Sequence, residues 1–191
     1  MAKALYLTFA TLTDILNPRS LYLVLYGWLL GMSLWVTFFG GFIALKALPR
    51  HQFGALQHRT FPVYFSVSIA LSTILLLMWT TTHPDVLSYI AKPTHVDVAQ
   101  AYALAFVLVN QTINQLVVGP LTSRTMFQRH KLEKDEGKNY NDPAASDAMK
   151  ALNRKFGMLH GVSSLCNLGA NLALIFHGLW LGHVNTALKG Y

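Results

Sequence analysis

The sequence predicts an all-α fold: an integral membrane four-helix bundle in which span four is preceded by a cytoplasmic helical extension. Three observations predict it. Of the 191 residues, 53% are hydrophobic and only 12% are charged, against roughly a quarter charged in soluble domains. The charges are also segregated. Leu21 to Leu45 holds no Asp, Glu, Lys, Arg or His, and Phe61–Thr82, Val98–Arg124 and Gly161–Phe176 are nearly as clean, runs of the kind that cross a bilayer as helices. Finally, 15 Lys and Arg outnumber 8 Asp and Glu, and the surplus lies in loops, with no basic stripe interleaved with aromatics. No nucleic-acid partner is expected; the lipid bilayer is.

Residues 1–19 form a leader in which Leu5, Phe9, Leu12 and Leu16 recur at helical spacing, as in a helix lying at the membrane surface. Asp14, Asn17 and Pro18 interrupt it, and no small-residue cleavage site follows, so a cleaved signal peptide is not expected. The membrane domain, 20–182, places its spans at 20–45, 61–82, 99–121 and 160–181, with a short tail at 183–191. Four spans put both termini on one side. The loops 46–60 and 122–159 carry eleven Lys and Arg, the other side four, so these loops are predicted cytoplasmic and the termini lumenal or extracellular. Within the basic hairpin 122–159, Gln128–Glu136 reads as helix and Gly137–Asp142 as a turn. Asp142 then reads as an N-cap with Pro143 at the first helical position. Met149, Leu152, Phe156 and Leu159 give the new helix a heptad-like apolar stripe leading into span four.

Polar side chains inside a bilayer must find partners or line a wet cavity. His160, Ser164, Asn167 and Asn171 share one face of span four at about 100° per residue, and Asn110, Gln111, Asn114 and Gln115 cluster within one turn of span three. Counting from the helix ends predicts the pairs Asn110–Asn171 and Asn114–Asn167. The cluster is either hydrogen-bonding glue or the lining of a polar cavity for a small solute. Ser66, Ser68, Ser72 and Thr73 can bond back to the preceding turn. Gly27 and Gly31 form a GxxxG pair, compatible with a homo-oligomer or a membrane-protein partner.

A second candidate cluster, Arg50, His51, Gln57 and His58, lies at the cytoplasmic exit of span one, with His160 expected nearby. His58 with His160, and His83 with His177, would have the layout of a two-haem b-type cytochrome. No second-shell pattern supports it, and no Walker, GxSxG, HExxH or CxxC motif is present. Cys166 is the single cysteine, which excludes an intramolecular disulfide. No enzymatic activity, cofactor or metal is expected.

Three stretches are more specific than hydropathy. Trp35-Val36-Thr37-Phe38 runs through Gly41-Phe42 into Leu48-Pro49-Arg50-His51, then Phe53-Gly54, Gln57 and Phe61-Pro62 with Tyr64-Phe65. Gly119-Pro120 with Thr122 closes span three, and His160-Gly161-Val162-Ser163-Ser164-Leu165-Cys166-Asn167-Leu168-Gly169 opens span four. From Leu21 to Leu181 the chain resembles the transmembrane protein 205 family, four-span eukaryotic proteins without an established biochemical activity. The resemblance implies an endomembrane or cell-surface protein with a part in handling xenobiotics, and it supplies no catalytic residues. Physically, Pro49 stops span one, Arg50 and His51 meet the anionic lipid surface, and Phe61-Pro62 restarts the chain as span two. Three functional readings stay open: a small-solute binding or transport-related protein, a structural or adaptor protein acting through its hairpin, and a b-type haem redox protein that rests on the paired histidines alone.

Overall fold

The computed structural model describes residues 6–185. Leu5 of the expected leader helix and residues 186–191 of the expected tail lie outside them. Helix α1, Phe9–Ile15, begins at a capping box in which Thr8 and Thr11 satisfy each other's backbone N–H groups. Its apolar Phe9, Leu12 and Ile15 are exposed, as a helix resting on a bilayer surface requires. Asn17 then caps α2 by accepting from the Ser20 N–H at 3.0 Å, with Pro18 in the first turn.

Four long apolar helices follow: α2 (Pro18–Ala47), α3 (Arg50–Thr82), α5 (Val96–Glu136) and α6 (Asp147–Asn185), with a single turn, α4 (Asp85–Ser88), between α3 and α5. At 41 residues, α5 is roughly 60 Å long, about twice the thickness of a hydrocarbon core. Both α5 and α6 therefore project beyond the membrane at the hairpin end. There α5 stops at Gly137, whose φ of 65° is the left-handed conformation that glycine adopts without a Cβ clash.

Two junctions differ from expectation. The hairpin's second helix starts at Asp147, not after Asp142, because Ser146 supplies the cap: its Oγ accepts from the Met149 N–H at 3.1 Å. Asp142 instead accepts from the Ala144 N–H at 2.7 Å, closing a local turn. Pro62 does not restart the chain but sits within α3, which runs unbroken from Arg50. The donor it lacks would have served the carbonyl of His58, a residue exposed at the hairpin end.

The core is built along α5, which packs against both α3 and α6, while α2 lies on α3 and more lightly on α6. Tyr22, Tyr26, Leu29, Leu75, Trp79, Leu104, Val107 and Leu174 fill it. The outward belt of Leu, Ile, Val and Phe is exposed, the inverse of a soluble bundle. Two π-helical turns interrupt the spans, Trp35–Gly40 in α2 and Asn114–Val118 in α5. The second explains Gly119-Pro120. The turn brings the Asn114 carbonyl against Gly119, whose N–H bonds it, and a Cβ there would stand 2.6 Å from that oxygen. Gly27 and Gly31 by contrast would meet nothing within 4 Å with an added Cβ, so among the described residues their GxxxG face packs on no neighbour.

Candidate functional site

The polar groups of the bundle fall into three levels. Midway along the bundle, Asn167 of α6 is the hub. Its Oδ1 accepts from the Tyr64 hydroxyl at 2.7 Å and from Gln111 Nε2 at 3.2 Å, and its Nδ2 donates to Thr37 Oγ1 at 2.6 Å. Asn171 donates to the same Thr37 oxygen at 2.9 Å and to the Asn167 carbonyl. Tyr64 also reaches Ser33. All four long helices thus contribute, with Thr37 carried by the π-helical turn of α2. The side-chain amide oxygens of Gln111, Asn114 and Asn171 have no donor among the described residues, so the spare capacity of this level is for accepting hydrogen bonds.

This level corrects the expected pairing. Asn110 turns to its own helix, donating to the Phe106 carbonyl at 2.8 Å, and Asn114 donates to the Ser163 carbonyl at 3.3 Å. Gln111 rather than Asn114 meets Asn167, so the register of α5 against α6 is displaced by three to four residues, about one helical turn. The reason is that Leu121 and His160 are not helix ends, and depths counted from them are wrong. Gln115, half-buried, bonds Ser66 at 3.0 Å. His160 and Ser164 are exposed, and His160 stacks on Phe156 of its own helix. The inward stripe of α6 follows the heptad from Met149 and Phe156 through Ser163 and Ala170 to His177, so a face drawn at 100° per residue drifts out of the core toward the hairpin.

At the end of the bundle where α2 begins and α6 finishes, His177 is fully buried. Its Nδ1 lies 2.8 Å from Gln100 Oε1 and its Nε2 lies 2.6 Å from the Tyr22 hydroxyl. The Gln100 oxygen can only accept, so the ring carries its proton on Nδ1, and Nε2 accepts from Tyr22. Trp79 stands between His83 and His177, with ring centroids 3.9 and 5.1 Å away. The indole therefore separates the two histidines that the haem layout would pair at this end. The expected His58–His160 pair does not form either: His58 takes Ser123 at 3.0 Å and the edge of Phe127, both on α5.

Above this level lies a cavity of about 620 Å³. Tyr22, Leu23, Met78, Trp79, Trp180, Leu181 and Val184 form apolar walls, while Asn17, Arg19, Thr82, His83 and Asp97 supply polar groups. Trp79 is fixed by donating Nε1–H to the Asp97 carbonyl at 3.0 Å. Its volume and lining are those of a small-molecule pocket, mostly apolar with a few placed polar groups. Sequence reasoning missed it because its walls come from the ends of three spans, and nothing in a single span shows that these ends converge.

At the hairpin end, Arg50 forms an ion pair with Glu133 of α5. Glu133 also accepts the Tyr140 N–H at 2.7 Å. Arg129 is held between the rings of Tyr140 and Phe156, at 4.5 and 4.6 Å. Burial and the Arg50 charge push its guanidinium below the ordinary value, against Glu133 and Tyr140. Burial would raise the Glu133 carboxyl, but the Arg50 hydrogen bond, the Tyr140 N–H and the charges of Arg50 and His51 hold it below the usual carboxylate range. Of the four residues expected to cluster here, Arg50 and the exposed His51 gather at Glu133, His58 takes Ser123 instead, and Gln57 is half-buried.

The profile of the family described as "Domain of unknown function (DUF4149)" matches residues 24–131, more than half of the chain. The chain belongs to the DUF4149 family. It is also 28% identical over 170 residues to "Transmembrane protein 205" of Danio rerio, across 82% of this chain and 86% of that protein, in agreement with the resemblance read from its motifs. No solved structure matches. The DUF4149 profile spans α2, α3 and α5 through the π-helical turn and Gly119-Pro120, while Asn167, His177 and the α6 wall of the cavity lie beyond it. With four membrane-capable helices and a transmembrane relative, this member of the family is a multi-pass membrane protein.

Proposed function

We propose that the protein binds a small, largely apolar or amphiphilic solute, without enzymatic turnover, in the cavity lined by Tyr22, Trp79 and Trp180. The observation that carries this reading is the cavity itself. Its volume suits a drug-sized molecule, and aromatic faces meet polar groups of both signs, Arg19 and Asp97, at one end. The mid-membrane amides support binding more than conduction, because Asn167 already engages Tyr64, Gln111 and Thr37. Passage of a solute along the bundle would require that hub to open. The basic hairpin end faces the cytoplasm by the positive-inside rule, which puts the cavity on the lumenal or extracellular side of an endomembrane or the cell surface.

The test uses Trp79 and Trp180 as reporters. The purified full chain in lipid nanodiscs is titrated with a panel of aromatic and amphiphilic solutes while tryptophan emission and thermal stability are followed. A saturable quench with a matching rise in melting temperature is expected for at least one class. Leu23→Trp, which fills the mouth, should weaken that binding by about tenfold or more, equivalent to roughly 1.4 kcal/mol. A panel with no saturable response, or binding indifferent to Leu23→Trp, would rule the reading out. Protease access to a tag placed at either terminus checks the orientation.

A further inference from the structure

We propose that His51, His130 and Glu133 form a divalent transition-metal site, suited to Zn²⁺, that clips the first turn of α3 to the projecting part of α5. His130 and Glu133 stand one turn apart on α5 and so present side chains on the same face. His51 faces them from α3. One ligand atom from each residue lies within 4.8 Å of the other two, and His51 Nε2 is 3.6 Å from Glu133 Oε2. Tetrahedral zinc with bonds of about 2.0 to 2.2 Å holds its ligand atoms roughly 3.3 to 3.6 Å apart. One pair already has that spacing, and the two imidazole centroids are 4.2 Å apart, so side-chain rotation closes the set without moving either helix.

Two further observations point to a ligand. A cavity of about 270 Å³, separate from the solute cavity, is lined by all three residues together with Lys134, Gly137 and Lys138, which leaves room for a water in the fourth position. And a cation already sits between two of the three ligands: Arg50 Nη2 contacts Glu133 Oε2 and lies 3.3 Å from His51 Nε2. The guanidinium stands in for the metal and competes with it. Its side chain is one-third exposed and also rests over Tyr140 at 4.4 Å, so it can leave the site and keep a partner. Glu133 is oriented for the exchange, since the Tyr140 N–H holds Oε1 and leaves Oε2 for either cation. Two imidazoles and a carboxylate select Zn²⁺, Co²⁺ or Ni²⁺ over Cu⁺, which prefers sulfur.

The experiment titrates Co²⁺, then competing Zn²⁺, into the full chain stripped of metal, in nanodiscs and without a polyhistidine tag. One site per chain with the visible absorption of four-coordinate cobalt is expected, displaced by Zn²⁺. His51→Ala or His130→Ala should weaken binding by at least about tenfold, while Arg50→Met, which removes the competing cation, should strengthen it by about tenfold. Glu133→Gln keeps an acceptor for the Tyr140 N–H and should still lose the site. Helicity measured on each variant separates lost binding from lost fold. The proposal is overturned if the intact protein and Arg50→Met both fail to bind, or if the folded His51→Ala/His130→Ala double variant binds cobalt as the intact chain does.

Discussion

The middle of the bundle and the end where α2 begins are both rich in polar groups inside an apolar chain, yet they solve the problem of burial in opposite ways. In the middle the donors are consumed by the protein: Asn167 alone ties Tyr64, Gln111 and Thr37 together. At the other end His177, Gln100 and Tyr22 close on one another, and above them the helices part around about 620 Å³ of space. Polar density by itself is thus a poor guide to a binding site in a membrane bundle. In lipid, cross-helix hydrogen bonds hold and register helices that have no hydrophobic drive to associate. A site appears where that bonding stops and aromatic walls diverge.

The sharpest way to break this comparison is Asn167→Leu. It removes the partner that Tyr64, Gln111 and Thr37 share and leaves each of them only its weaker or second contact, Tyr64 with Ser33 and Gln111, and Thr37 with Asn171, and it should cost about 2 to 3 kcal/mol of stability. Solute binding at the far cavity should be retained. Unfolding followed by steric trapping measures the first, and tryptophan quenching the second. If Asn167→Leu is stable but fails to bind, the hub belongs to the site and the contrast drawn here is wrong.

The four long apolar helices and the amides buried between them were legible in the sequence, because hydropathy and amides in apolar runs report directly on lipid. The belt's wiring was not, and the reason is geometrical. Depth was counted from Leu121 and His160, but α5 runs on to Glu136 and α6 starts at Asp147. An error of one turn therefore entered the register. The heptad noticed at Met149 and Phe156, extended by sevens, reaches Ala170 and His177, both fully buried. Following that repeat would have found His177, whereas a strict helical wheel drawn from His160 excludes it. Tyr64 and Thr37, the hub's other partners, stand in the stretches that carry the family resemblance, but neither hydropathy nor helical phase assigns them a partner, since one lies in an aromatic run and the other in a π-helical turn.

Gly119→Ala should cost somewhat less, about 2 kcal/mol, by overpacking. The added methyl would meet the Asn114 carbonyl oxygen at 2.6 Å, and a backbone atom cannot swing aside as a side chain can. If the π-helical turn instead relaxes to ordinary helix, the Asn114 side chain rotates away from Ser163, and the cost should fall near that of Asn114→Ala. Stability of the two single variants and the double variant, compared as a cycle, separates these outcomes. Gly178→Ala should follow at about 1 to 2 kcal/mol. Its Cβ would stand 2.0 Å from the Tyr26 hydroxyl, which must then give up its bond to the Leu174 carbonyl.

The smallest effect is expected at Gly27 and Gly31, and it tests the comparison from outside. A Cβ at either meets nothing within 4 Å, and neither glycine has the positive φ that only glycine tolerates readily. In a folded single chain, Gly27→Ala with Gly31→Ala should therefore be neutral or stabilising by up to about 1 kcal/mol, since alanine restricts the unfolded backbone and favours helix. The same pair packed against another helix would behave oppositely, because close approach through GxxxG leaves no room for a methyl. Stability measured across a range of protein-to-lipid ratios distinguishes the cases. A gain that is independent of dilution places the glycine face in lipid. A loss that grows with protein concentration places it against a second chain, and the polar hub, the cavity and the glycine face would then be three separate uses of one four-helix frame.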